Sequence, residues 1–307
     1  MAVGSPLLVR AGQVWAASEA VGVLPSDKSW AYSEAVAALQ SDWPQAGRGK
    51  ALVILNAREL PTGAPPAAVV TLGATALRLV MERANAQPDW ARVLVLGALL
   101  PRDGFAAVWK RPPAWVSAAY LDQPIERYLA LIRRAMPRLT KVGVLVHEDD
   151  ASQRQTLLKA AQAQGVRLVI GSVGAPDTLS GALRTVLAEA DVLLMLPDGA
   201  VADVSALQHM LITAYRQRVP VVSYSPALVK AGAALGLYAS PTQAGRQVVA
   251  MLKGAGSASS GGSAWPASRL ADGFTVAINE QVCRSLGLDV PDVSVLTDAL
   301  RREEGMR

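Results

Sequence analysis

Ser223-Tyr224-Ser225, followed by Pro226, puts three hydroxyls at the end of an apolar run, where a buried strand would open onto a helix. Asp198 closes a similar run, DVLLMLPD (191–198), and His147 begins HEDD directly after KVGVLV (141–146). Nearer the N-terminus, Ser26-Asp27 with Trp30, Gly73 with Thr75, and Asp122 hold equivalent places. These side chains offer hydroxyls, carboxylates, an imidazole and aromatic faces, a set suited to holding a small polar molecule.

The same residues are poor in catalytic partnerships. Nucleophilic catalysis needs a hydroxyl or thiol beside a base that a third group orients. The chain has two histidines and none of the G-x-S-x-G, G-x-x-x-x-G-K-[ST] or G-x-G-x-x-G patterns. HEDD is a weak metal motif, because consecutive residues converge poorly on one ion and acids ahead of a helix favour its dipole. The single cysteine, Cys283, allows neither a disulfide nor a thiolate metal site within one chain. No catalytic residue, metal or cofactor is therefore assigned.

Each candidate also has a purely structural role open to it. Ser26 and Asp27 suit N-caps, and Pro197-Asp198-Gly199 suits a turn. Tyr224 could pack beneath the next helix. Trp30 lies about 200° around its helix from Tyr32, off the apolar stripe of Tyr32, Val36, Leu39 and Trp43, where it suits a ligand stack or an oligomer contact. Tyr128 belongs to the stripe Ile125, Tyr128, Leu129, Ile132 and Met136 and is read as core; His209 lies off the apolar face of helix 203–218 and is read as solvated.

Short apolar runs position these residues. AVGVL (20–24), KALVILN (50–56), AAVVTLG (67–73), RVLVLGALL (92–100) and AWVSAAYL (114–121) form one series. KVGVLV (141–146), VRLVIGSV (166–173), DVLLMLPD (191–198) and VPVVSYS (219–225) form a second. Most are apolar throughout, as strands covered on both faces must be, and helical patterns separate them, which predicts parallel α/β sheets in two domains. Ser225-Pro226 and Ser240-Pro241-Thr242-Gln243 read as capped helix starts. Gly287 closes a last helix, and the Gly/Ser-rich stretch 253–268 reads as an exposed loop.

Of the 307 residues 51% are hydrophobic and 18% charged, which excludes disorder, and no apolar run is long enough for a transmembrane helix. The net charge of +5 is scattered rather than gathered on one face, so no nucleic-acid partner is assigned. MAVGSPLLVRAGQVWAASEA lacks the unbroken apolar core of a signal peptide, consistent with a cytoplasmic chain or one whose leader has been removed.

Four segments in order carry a resemblance: YLALIRRAMPRLTKVGVLV (128–146), DVLLMLPD (191–198), VPVVSYSPALVKAGAALGLYASPTQAGRQVVAMLKG (219–254) and VAINEQVCRSLGLDVP (276–291). Together they resemble the ABC transporter substrate-binding proteins related to tryptophan/tyrosine-binding proteins, which have the type I periplasmic-binding fold. The resemblance implies two Rossmann-like lobes joined by three crossovers, near 118–122, 232–238 and 266–274. The N-terminal lobe would take 1–119 plus 236–267 and the C-terminal lobe 120–235 plus 268–307, with a ligand cleft between them. It implies a periplasmic protein that captures a small organic ligand, an amino acid or similar, and delivers it to an ABC permease. A sensor docking a membrane receptor and, less simply, an enzyme on the same scaffold are the alternatives. The expected ligand-binding residues are Ser26, Asp27, Trp30, Gly73, Thr75, Asp122, His147, Asp198, Ser223 and Tyr224. An aromatic amino acid is not carried over as the ligand, because Arg102 is the only arginine near a carboxylate-binding mouth.

Overall fold

A computed structural model describes residues 20–47, 50–56, 60, 65–91, 93–174, 178–197, 203–255 and 265–305. The chain divides into two compact units, Met1–Tyr120 with Pro241–Arg269, and Leu121–Ser240 with Leu270–Arg307.

The first stretch runs β1 (Val21–Pro25), α1 (Trp30–Ala46), β2 (Leu52–Ile54), β3 (Ala68–Leu72), α2 (Ala74–Ala86), β4 (Leu94–Leu100), α3 (Arg102–Val108) and β5 (Val116–Tyr120). The second runs α4 (Ile125–Ala135), β6 (Lys141–His147), α5 (Ala151–Gln164), β7 (Arg167–Val173), α6 (Leu179–Glu189), β8 (Val192–Leu194), α7 (Val204–Arg216), β9 (Val221–Ser223), α8 (Pro226–Ala231) and β10 (Leu235–Tyr238). Helix α9 (Pro241–Ala255) returns to the first unit, and β11 (Thr275–Ile278), α10 (Glu280–Leu286) and α11 (Val293–Gly305) complete the second.

In the first unit the order is β2-β1-β3-β4-β5, all parallel. Val23, Leu24, Val69, Val70, Val95 and Leu96 are fully buried, because helices cover both faces. One face packs on α2 and α3 through Leu77, Val80 and Phe105. The other packs on α1 and α9 through Leu39, Trp43, Val248 and Met251. Burying each such side chain contributes about 1.5–3 kcal/mol. Helices α1 and α9 approach closely because position 245 has no side chain: a Cβ there would lie 2.7 Å from the Ala35 carbonyl oxygen and 3.0 Å from the Ala38 Cβ. Thr242 donates to the Glu34 carboxylate across this contact.

The second unit repeats the order as β7-β6-β8-β9-β10 and adds β11 at the edge of β10. The first five strands are parallel; β11 is antiparallel, with Leu235 opposite Ile278 and Tyr238 opposite Thr275. The stretch GFTVAI (273–278) reads as a final strand and is one, but the expectation of parallel sheets misses its direction, which the chain sets as it re-enters the unit. Helices α4, α5 and α11 cover one face and α6, α7 and α8 the other.

Two side chains of α4 join the sheet to the returning chain. Tyr128 is buried, as its stripe predicts, and its hydroxyl donates to the Leu237 carbonyl at 3.1 Å. Arg127, 7% exposed, is a buried cation with a full set of acceptors. It pairs with Glu304 on α11 and with Gln123, donates to the Ala271 carbonyl at 3.0 Å and the Asp272 carbonyl at 3.3 Å, and stacks over Phe274 at 4.8 Å.

Candidate functional site

In sheets of this order ligands sit beyond the carboxyl ends of the strands, at the switch point where the order reverses. That point lies between β1 and β3 in the first unit and between β6 and β8 in the second.

At the first switch point the structure brings Ser26, Tyr32 and Gly73 together. Ser26 follows β1; its hydroxyl donates to the Leu72 carbonyl at 2.7 Å and accepts from the Ala76 amide at 3.0 Å. Ser26 therefore caps α2, not the helix that follows it in sequence. Gly73 joins β3 to α2 with φ +88° and donates its amide to the Ala98 carbonyl at 2.8 Å. A Cβ at Gly73 would meet the Tyr32 hydroxyl and lie 2.7 Å from the Ser26 Oγ, so this approach requires glycine twice over. Replacing Ser26 by alanine strands the Ala76 amide. The expected cost is about 1–2 kcal/mol, measured as a lower melting temperature.

Around this junction the polar groups stay open to solvent. Thr75 is exposed on the first turn of α2. Trp30, the first residue of α1, is 73% exposed. Asp27 does not cap α1 directly; that position is Ser29, whose amide donates to the Asp27 carboxylate at 2.6 Å. The side-chain and backbone hydrogen bonds from Ser29 hold the Asp27 carboxyl below its ordinary range. Beyond β4, Leu99 adopts φ 55° at a register shift between Ala98 and Leu100, a bulge that costs a non-glycine residue about 1 kcal/mol or more. Arg102 lies with its guanidinium 5.9 Å from the Tyr120 ring, which Phe105 meets edge-on at 5.7 Å.

In the second unit His147 ends β6 at the switch point, half-buried, with Nδ1 accepting the Asp149 amide at 3.2 Å. Asp150 of HEDD caps α5 through the Gln153 amide at 2.8 Å. Asp198 lies outside the described residues. Ser223 is a correction: it is fully buried, and its hydroxyl donates to the Leu235 carbonyl at 3.2 Å, so it faces the neighbouring strand and not the mouth. Tyr224 is half-buried beside both cores, and burial raises its hydroxyl pKa. Asp122 is also half-buried. Tyr128 has its pKa raised chiefly by burial, then by the charge of Asp122 and by Tyr224. Ser225 caps α8 through the Leu228 amide at 3.3 Å, as Ser225-Pro226 predicts.

Sequence reasoning missed Tyr32 and Leu99. Tyr32 follows the apolar stripe, and only its hydroxyl departs from that role. Leu99 sits in an unbroken apolar run, where nothing signals a left-handed backbone.

Residues 105–301 match the family model described as ABC transporter substrate binding protein. Among curated proteins none matches the chain. Solved structures do. A Clostridium difficile substrate binding protein with adhesive properties, in its ligand-free, open form, has TM-score 0.61 and 14% identity over 89% of this chain and 96% of that one. A conserved domain protein from Vibrio cholerae has TM-score 0.58 and 18% identity over 92% and 98%. The ABC domain in complex with L-Trp from Streptococcus pneumonia has TM-score 0.55 and 16% identity over 88% and 96%. At these identities the likeness shows the fold, that of type I periplasmic-binding proteins.

Proposed function

Because the chain belongs to the ABC transporter substrate-binding protein family, we propose that it captures a small organic ligand and hands it to the permease of an importer without transforming it. The junction at Gly73 carries this reading. Hydrogen bonds from Ser26 to both ends of the turn at Gly73, beneath Tyr32, hold this junction, while Thr75 and Trp30 stay exposed to meet a ligand. Rigid support beneath exposed hydrogen-bonding and stacking groups is what a binding mouth needs.

Trp30, Asp27, Thr75 and the Gly73 backbone are the proposed contacts on the first unit, and Asp122, His147, Asp198 and Tyr224 those on the second. The family assignment supports work outside the cytoplasmic membrane, in the periplasm. Among the described residues no helix is long and apolar enough to cross a membrane.

Calorimetric and thermal-shift screening across amino acids, sugars, nucleobases and vitamins tests the reading. A ligand is expected from one of these classes, recovered chemically unchanged. Trp30→Ala should weaken its binding about tenfold, or about 1.4 kcal/mol, with the melting temperature unchanged. No binder in any class, or turnover of the bound molecule, would overturn it.

A further inference from the structure

Helix α10 is a ridge between two open grooves on the second unit, each lined by eleven residues. The groove on one side, about 550 Å³, holds Ile212, Tyr215, Arg216 and Lys230 and no carboxylate. The groove on the other side, about 650 Å³, holds Glu280, Asp289 and Asp292 against a single cation, Arg284, which already lies 3.5 Å from Glu280. Among the described residues Arg216 and Lys230 are exposed and form no ion pair.

Large apolar side chains stand exposed on both sides. Ile212 is 53% and Tyr215 48% exposed beside the basic groove; Val293 is 42% and Val295 53% exposed where α11 begins, beside the acidic one. Exposed apolar groups flanking α10 on both sides, with unpaired charge around them, mark an interaction surface.

We propose that this face binds a second copy of the chain. The two grooves are opposite in charge and lie side by side. A two-fold axis parallel to α10 and outside it, running between the two copies of the helix, sets ridge against ridge and turns the acidic side of each copy toward the basic side of the other, forming the same contact twice, as a self-complementary interface requires. Val293 and Val295 of one copy then meet Ile212 and Tyr215 of the other. The two groove linings together approach the roughly 20–30 residues per partner of a standard interface. A single acidic partner protein would leave the carboxylate side unmatched.

Sedimentation velocity of the full chain over rising concentration, at low and high salt, tests the proposal. The wild type should shift from one-copy to two-copy mass, more readily at low salt. Arg216→Glu with Lys230→Glu, and separately Asp289→Lys with Asp292→Lys, should each give one-copy mass at every concentration. An equimolar mixture of the two variants should recover two-copy mass, because both contacts then pair opposite charges. Should either reversal pair lower the melting temperature, Ile212→Asp replaces it as the dissociating variant. A wild type that keeps one-copy mass throughout, reversal variants that still pair, or a mixture that fails to pair would each overturn the proposal.

Discussion

Arg127→Ala is expected to destabilise the second unit by about 2–4 kcal/mol, chiefly by leaving its carbonyl and amide acceptors unsatisfied, since Glu304, 37% exposed, can be hydrated in its place. The Arg127 side chain is 94% buried. Its loss would leave the Gln123 amide oxygen and the Ala271 and Asp272 carbonyls short of a donor and uncover the Phe274 ring. Lysine is a poor replacement, because an ammonium lacks the planar fork that reaches these acceptors together. The measurement can be made specific to one unit. All seven tryptophans fall in Met1–Tyr120 and Pro241–Arg269, so tryptophan fluorescence follows the first unit alone. Far-UV circular dichroism should show an early unfolding step that fluorescence does not follow. Coincident, unshifted transitions would show that Arg127 is dispensable.

Gly73→Val should cost about 2–5 kcal/mol and abolish ligand binding. The left-handed backbone at φ +88° contributes roughly 1–2 kcal/mol of strain once a branched Cβ is present. Overpacking against the Ser26 and Tyr32 oxygens adds about 1–3 kcal/mol. The loss falls in the first unit, so here fluorescence should register the earlier transition. A Gly73→Val protein with normal melting temperature and normal binding would mean that the mouth tolerates a side chain.

What the sequence made legible follows from which physical signals are local. Strands buried on both faces must be apolar throughout, so VGVLP, AVVTL and LVLGALL stand out without any partner in view. Capping is local too, and Ser225 and Gly287 do what their neighbours imply. Ser26 misleads because the helix it caps lies 50 positions away, across the sheet. Ser223 misleads because position 236, which faces it from the next strand, cannot be read from its own run. Arg127 passes for a surface charge on an amphipathic helix; its partners at Gln123, Ala271, Asp272 and Glu304 become neighbours only when the chain re-enters the second unit.

The close packing of α9 on α1 has a bearing on how the protein is made. Val248, Val249 and Met251 finish a core whose other members all precede Tyr120, yet the whole of Leu121–Ser240 is synthesised in between. At about 5–20 residues per second, a ribosome needs roughly 6–24 s to cross that gap. Throughout that interval the nascent first unit carries a bare greasy flank over Leu39 and Trp43, ready for a chaperone or for aggregation, and a gene fragment stopped at Tyr120 would keep it for good.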